Sequence, residues 1–245
     1  MTEQAAACPA PSTYDELAGA LSLWLLRPAL TEDALLAACR EAAQMRLGSV
    51  LVFPEDVEAA SRALEGAGVA VASTAGHPHG ASATAVKLYE GRDLLRRGVR
   101  EIVFVLSTAK LVRREFQHVE TELMQIGRSC LEHGARLHAV VESGYLSEDL
   151  RVIATKICKR CDAAVLSVSG GLPPEPDWSV ALGQFRRIAR EELELGLMRQ
   201  EASLDEILDA WSHGARRFAC GNAAAVAAAW KARLEAQAES GEGAG

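Results

Sequence analysis

His77 and His79 flank a proline in the run Gly76-His77-Pro78-His79-Gly80. Two imidazoles one residue apart can begin a metal site, with Glu142 or Cys220 as a further ligand, and a metal held there would polarise a carbonyl. His138 and Glu142 stand four residues apart in RLHAVVES. On a strand both side chains leave the same face, which allows an acid/base pair. Lys110 follows another apolar run as a lone cation. Arg27 and Arg199 have the chemistry to hold an anion, helped by the small polar positions Ser167, Ser169, Gly170, Gly221 and Asn222. Each feature also has a quieter explanation. Glu142 serves equally well as an acceptor at a strand end, HPHG as a structural turn, and Lys110 and the arginines as solvated cations. No metal is therefore expected. Cys158-Lys-Arg-Cys161 lacks a second C-x-x-C and closes a helical pattern instead of opening one, so it reads as two small buried hydrophobes.

The elements that must position these residues follow a simple rhythm. Short runs rich in Val, Ile and Leu occur at 21–26, 48–53, 69–74, 101–106, 136–143, 163–168, 193–198 and 216–221, each followed by a segment of helical period. Thr31 with Asp33, Ser147 and Asn222 mark helix starts. Strands that read as continuous apolar runs are buried on both faces, as in a parallel sheet. Eight such units predict a single-domain α/β protein with the (β/α)8 TIM barrel fold. An open doubly wound sheet would want a glycine-rich turn after the first strand, where Leu-Leu-Arg-Pro stands instead. The barrel is expected over 13–236, opened by a short helix from Thr13 to Ala20. A flexible arm over 1–12 precedes it and a disordered tail over 237–245 follows.

Composition narrows the function class. Hydrophobic residues make up 49% and charged residues 24% of the 245, which fits a globular domain. A formal net charge of −7, with no dense basic block, argues against nucleic acid and anionic membranes. No apolar run approaches the ~20 residues of a membrane span. The opening MTEQAAACPAPST has neither a basic start nor an apolar signal core, so a cytoplasmic location is expected.

Taken in order, several segments resemble one known family. LLRPALTEDALLAACREA is similar to the first strand and helix of deoxyribose-phosphate aldolases, and GSVLVFPEDVEAA to their second strand. HPHG with TAVKLYEGRDLLRRGVREI resembles their third turn and helix, VVESGYLSEDLR their strand-5 motif, and SLDEILDAWSHGARRFACGN their seventh helix and eighth strand. The resemblance implies a class I aldolase barrel. It would act on a carbon–carbon bond through a Schiff base, without metal or other cofactor, using a strand-6 lysine in K-T-S-T-G.

Carried over residue by residue, that machinery is missing. The lysine position falls on Val165, or on Leu166 if the register slips by one. The relay aspartates fall on Val103 and Ser22, the second lysine on Gly196, and the phosphate turns on Arg199-Gln200 and Ala219-Cys220-Gly221-Asn222. Of five lysines, Lys87, Lys156, Lys159 and Lys231 lie in helical patterns on the barrel's outside, and only Lys110 is placed to reach the mouth. The expectation is a catalytically inactive homologue that acts by binding or assembly, joined to an active paralogue or a pathway enzyme. A small anionic or aldehyde ligand and a homodimer are also expected. The alternative is an enzyme of altered chemistry on an aldehyde or sugar-phosphate-like substrate, using Glu142, His138 and Lys110 or a metal.

Overall fold

Eight parallel strands, each bonded to the next and the last to the first, close a complete barrel. The computed structural model describes residues 8–173 and 177–242. The chain runs α1 (Tyr14–Ala20), β1 (Leu21–Trp24), α2 (Glu32–Gln44), β2 (Ser49–Val52), α3 (Val57–Ala63), β3 (Ala70–Ala75), α4 (Thr84–Arg96) and β4 (Glu101–Val105). It continues through α5 (Thr108–Val112), α6 (Phe116–Glu132), β5 (Arg136–Val140), α7 (Glu148–Arg160), β6 (Val165–Ser167), α8 (Trp178–Ala189), β7 (Glu194–Arg199), α9 (Leu204–Ser212), β8 (Ala215–Cys220) and α10 (Ala223–Glu242).

Local chemistry starts the helices where the sequence predicts. The Thr13 and Thr31 hydroxyls accept from the backbone N–H groups of Glu16 and Ala34. Ser203 and Glu206 form a reciprocal capping box on α9. Such caps satisfy backbone donors that the first helical turn leaves unpaired.

Alternation along each strand splits the core in two. Ile102, Phe104, Leu137, Ala139 and Leu166 belong to the large layer between strands and helices. Trp24, Leu26, Leu51, Ala72, Val103, Val105, Val140, Met198 and Ala219 form a second cluster inside the barrel. Because Leu166 faces the helices, its neighbours Val165 and Ser167 face the interior. Of the two positions on which the expected lysine falls, Val165 faces inward and Leu166 faces the helices.

Both ends of the chain depart from expectation. Residues 8 and 9 are fastened to α9: Cys8 N–H donates to Ser212 O at 2.9 Å, and the Trp211 indole N–H donates to Pro9 O at 3.0 Å. The expected arm over 1–12 is thus held at its second half, while residues 1–7 lie outside the described residues. α10 runs on to Glu242, past the boundary expected at 236, and Gln237, Ala238 and Glu239 just beyond that boundary are strong helix formers. Residues 243–245 lie outside the described residues. No described helix is long and apolar enough to cross a membrane.

Candidate functional site in the barrel interior

Glu101, His138 and Ser167, from three adjacent strands, form a hydrogen-bonded chain inside the barrel. His138 Nδ1 lies 2.8 Å from Glu101 Oε1, and Nε2 lies 2.7 Å from Ser167 Oγ. The carboxylate can only accept, so Nδ1–H donates to it, while Nε2 and the Ser167 hydroxyl share the second hydrogen bond. Burial alone would raise the Glu101 pKa, but the hydrogen bond and charge of His138, with Arg136 and Arg217 nearby, hold it below the ordinary carboxylate value. Beside this chain, Glu194 Oε2 accepts from Arg136 and Arg217, each at 2.9 Å. A carboxylate–imidazole–hydroxyl chain is the arrangement that polarises a serine. Here the hydroxyl is completely enclosed, and Gly196 makes room for it: a Cβ on that glycine would stand 2.7 Å from Ser167 Oγ.

The same arrangement separates His138 from Glu142, contrary to the pair expected from their spacing. Both ring nitrogens of His138 are committed elsewhere, and four residues of strand put the two side chains roughly 13 Å apart. Glu142 instead accepts from Gly170 N–H at 3.0 Å and from the Ser169 hydroxyl at 3.5 Å. Burial raises its pKa to about 7, against the lowering effect of those two donors. It therefore ties the end of β5 to the loop after β6.

At the mouth, the Trp24 ring packs against the backbone of Gly171, which has φ +83°. With Leu26, Phe53 and Met198 it closes the interior beneath the loops. A small cavity of about 160 Å³ remains beside it, lined by Arg27, Gln200, Glu201, Gly221 and Asn222 at the start of α10. Arg27, Gly221 and Asn222 are thus brought together as an anion site would require, although the Asn222 amide is also bonded to both backbone groups of Ala202. Arg199 is drawn to the rim, 2.8 Å from Glu206 and stacked over Trp178. Ser167, Ser169 and Gly170 belong to the contacts already described, away from this cavity.

The remaining candidates are dispersed. His77 packs edge-on against Phe53, and burial together with His79 lowers its pKa. No cluster of three or more metal-capable residues occurs among the described residues. Cys158 and Cys161 are buried thiols whose pKa values burial pushes up, that of Cys161 to about 11, as expected for inert packing residues. Lys110 stands on α5 and pairs with Glu115 at 3.1 Å. Lys156 and Lys231 are exposed, and Lys159 bonds Ile188 O and Glu192. Lys87 lies outside the barrel, as expected, but is fully buried between α4 and α6. No lysine side chain enters the barrel interior.

Comparison with known proteins follows the same lines as the geometry. No protein-family profile matches the chain. The deoxyribose-phosphate aldolase of Treponema denticola is 31% identical over 147 residues, which is 60% of this chain and 68% of that one. The chain belongs to the deoxyribose-phosphate aldolase family. The aldolase of Thermococcus kodakarensis is 30% identical over 148 residues, 60% of this chain and 66% of that one. Among solved structures, an aldolase called QR15 superposes with a TM-score of 0.83 at 22% identity, covering 89% of this chain and 97% of its own. The deoxyribose phosphate aldolase of Aeropyrum pernix, described as tetrameric, gives 0.82 at 21%, covering 89% and 92%. Of the residues that the resemblance aligned with the family's site, Val165 faces the interior, Val103 lies in the inner cluster, and Gly196 abuts Ser167. Ser22 lines a cavity of about 20 Å³ at the floor with Glu101 and His138.

Proposed function

We propose that this member of the family does not carry out imine-based aldol chemistry and acts by binding. One observation carries the reading: all five lysines lie outside the barrel, and the β6 residue that the resemblance aligns with the family's lysine is Val165. A nucleophilic amine must touch the substrate carbonyl, so an outside lysine cannot replace it. Val103, Ser22 and Gly196 at the relay positions, and Trp24 closing the mouth, support the same conclusion. The cavity beside Arg27, Gly221 and Asn222 suits a small anion more than a sugar phosphate in full contact with the interior. In this reading the protein is a cytoplasmic pseudoenzyme that assembles with itself, with an active paralogue or with a pathway enzyme.

The test combines two measurements on the purified chain. Deoxyribose 5-phosphate should not be cleaved, and borohydride reduction in its presence should leave the mass unchanged. A stoichiometric adduct on one lysine, absent from denatured protein, would overturn the proposal.

A second reading, altered acid/base chemistry on an aldehyde or sugar-phosphate-like substrate, draws its support from the Glu101–His138–Ser167 chain. It predicts that any turnover found in a substrate screen disappears in His138→Gln and survives in Lys110→Ala. Turnover retained by His138→Gln excludes it.

A further inference from the structure

Two glycines at the mouth connect a buried carboxyl group to the indole that closes the barrel. Gly170 N–H donates to Glu142 Oε1 at 3.0 Å. Gly171 N–H donates to the Ser169 hydroxyl at 3.1 Å, and that hydroxyl donates onward to Glu142 Oε2 at 3.5 Å. There is no slack on either side: a Cβ on Gly170 would lie 2.4 Å from Glu142 Oε1, and one on Gly171 would lie 2.6 Å from the Trp24 ring. Trp24 in turn belongs to the cluster that fills the interior. Its seat therefore depends, through two glycines, on one carboxyl group.

That carboxyl group is the weak point of the seam. Glu142 is 4% exposed, and burial raises its pKa to about 7 against the effect of Gly170 and Ser169. Among the described residues no cation bonds it. Arg151 of α7 donates to Ser143 O and to Gln184, Arg199 of β7 bonds Glu206, Lys110 of α5 pairs with Glu115, and the Tyr145 hydroxyl donates to Pro173 O. Ser143 joins the same seam, its N–H donating to Val168 O at 3.2 Å, and its Oγ is the one buried side-chain polar atom without a partner among the described residues. A desolvated carboxylate without a counter-charge, beside an unpaired hydroxyl, is costly. Both groups regain water when the two loops part.

We infer that Glu142 is a proton-operated latch: its neutral form holds the loop after β6 against Trp24, and loss of its proton to solvent releases Gly170 and Gly171, frees Trp24 and opens the barrel interior. The closed form binds the proton more tightly than a form in which Glu142 meets water and titrates near the ordinary 4.5. The opening constant therefore rises with pH, by about tenfold between pH 6 and pH 9. Only the contacts of 142–143 with 168–171 and the packing of Trp24 are broken, so the event is a local opening of the native fold. This latch operates whether or not the interior is catalytically silent.

Hydrogen exchange of the full chain at pH 6 and pH 9, corrected for the intrinsic pH dependence of amide exchange and read on peptides covering 165–172, tests it. In the wild type the protection of the Gly170 and Gly171 amides is expected to fall about tenfold, with exchange faster than that of β4 at both pH values and insensitive to low urea, the marks of local opening. Glu142→Gln, which cannot ionise, is expected to show equal protection at the two pH values. Gly171→Ala, whose methyl would meet the Trp24 ring, should lose protection already at pH 6. Acrylamide quenching of Trp24, taken as the difference between wild type and Trp24→Phe, should rise over the same interval. Wild-type protection independent of pH, the same pH dependence in Glu142→Gln, or glycine amides that exchange only at the rate of β4 overturns the inference. Gly171→Ala protected like the wild type, or quenching that stays constant, overturns the link to Trp24.

Discussion

Lys87 Nζ lies 2.7 Å from Glu122 Oε2, with both side chains withdrawn from water and the ammonium 4.2 Å from the centre of the Phe104 ring. Burial lowers the lysine pKa, and Glu122 works against that shift. The pair joins α4 to α6, and the lysine stem packs under Gly76 at the start of the β3–α4 turn. Removing one partner strands a buried charge, which typically costs about 3–5 kcal/mol, whereas replacing both with apolar residues of similar volume is often neutral. Lys87→Met should therefore lower stability by that order, and Lys87→Met/Glu122→Leu should recover most of it. Urea denaturation of the three proteins checks this; equal losses in the single and double variants would show that the ion pair is not what the site depends on.

Glu142 gives the protein a pH dependence of known sign. Its folded-state pKa of about 7 lies above the ordinary 4.5, so the folded chain holds a proton that the unfolded chain releases. The contribution is fully present below pH ~4.5 and is lost as pH rises through about 7, amounting to the order of 1–3 kcal/mol. Glu142→Gln keeps an acceptor for Gly170 N–H and cannot ionise. Its stability relative to wild type should rise between pH 5 and pH 8. A wild-type-like pH profile in the variant would assign the dependence to other groups.

The contact between Gly196 and Ser167 sets up a paired test. Gly196→Ala places a methyl 2.7 Å from Ser167 Oγ, and overpacking of this kind costs about 1–3 kcal/mol. Ser167→Ala alone leaves His138 Nε2 unpaired, a loss of similar order. Combined, the two changes should cost clearly less than their sum, because the second removes the atom the first collides with. Simple additivity in thermal unfolding would place the alanine methyl elsewhere.

Val165→Lys should not restore cleavage of deoxyribose 5-phosphate. The new amine would be fully buried beside Gly196, and the positions the resemblance aligns with the relay groups, Val103, Ser22 and Gly196, would remain without acids or bases. Measurable turnover by the folded single variant would mean that the other family positions are carried by different residues of this chain.

Much of this protein is legible without coordinates. Eight apolar runs alternating with helical segments determine the barrel, because capping and burial on both strand faces are written locally in residues such as Thr13, Thr31 and the run EIVFV. The absence of lysine from AAVLSV is likewise a fact of sequence, as is the order of segments that aligns the chain with its family. What the sequence left open concerns partners. Whether Val165 or Leu166 faces inward depends on strand register, which the pairing of His138 with Val165 decides. His138 finds Glu101 and Ser167, 37 and 29 residues away, instead of Glu142 on its own strand. Lys87 reads as one more helix lysine on the barrel's outside until α6 brings Glu122, 35 residues on, against it. Trp24 looks like any strand residue until barrel closure sets it over Gly171. Local patterns specify elements; only closure of the barrel brings side chains from separate strands and helices within hydrogen-bonding distance, and that proximity decides their chemistry.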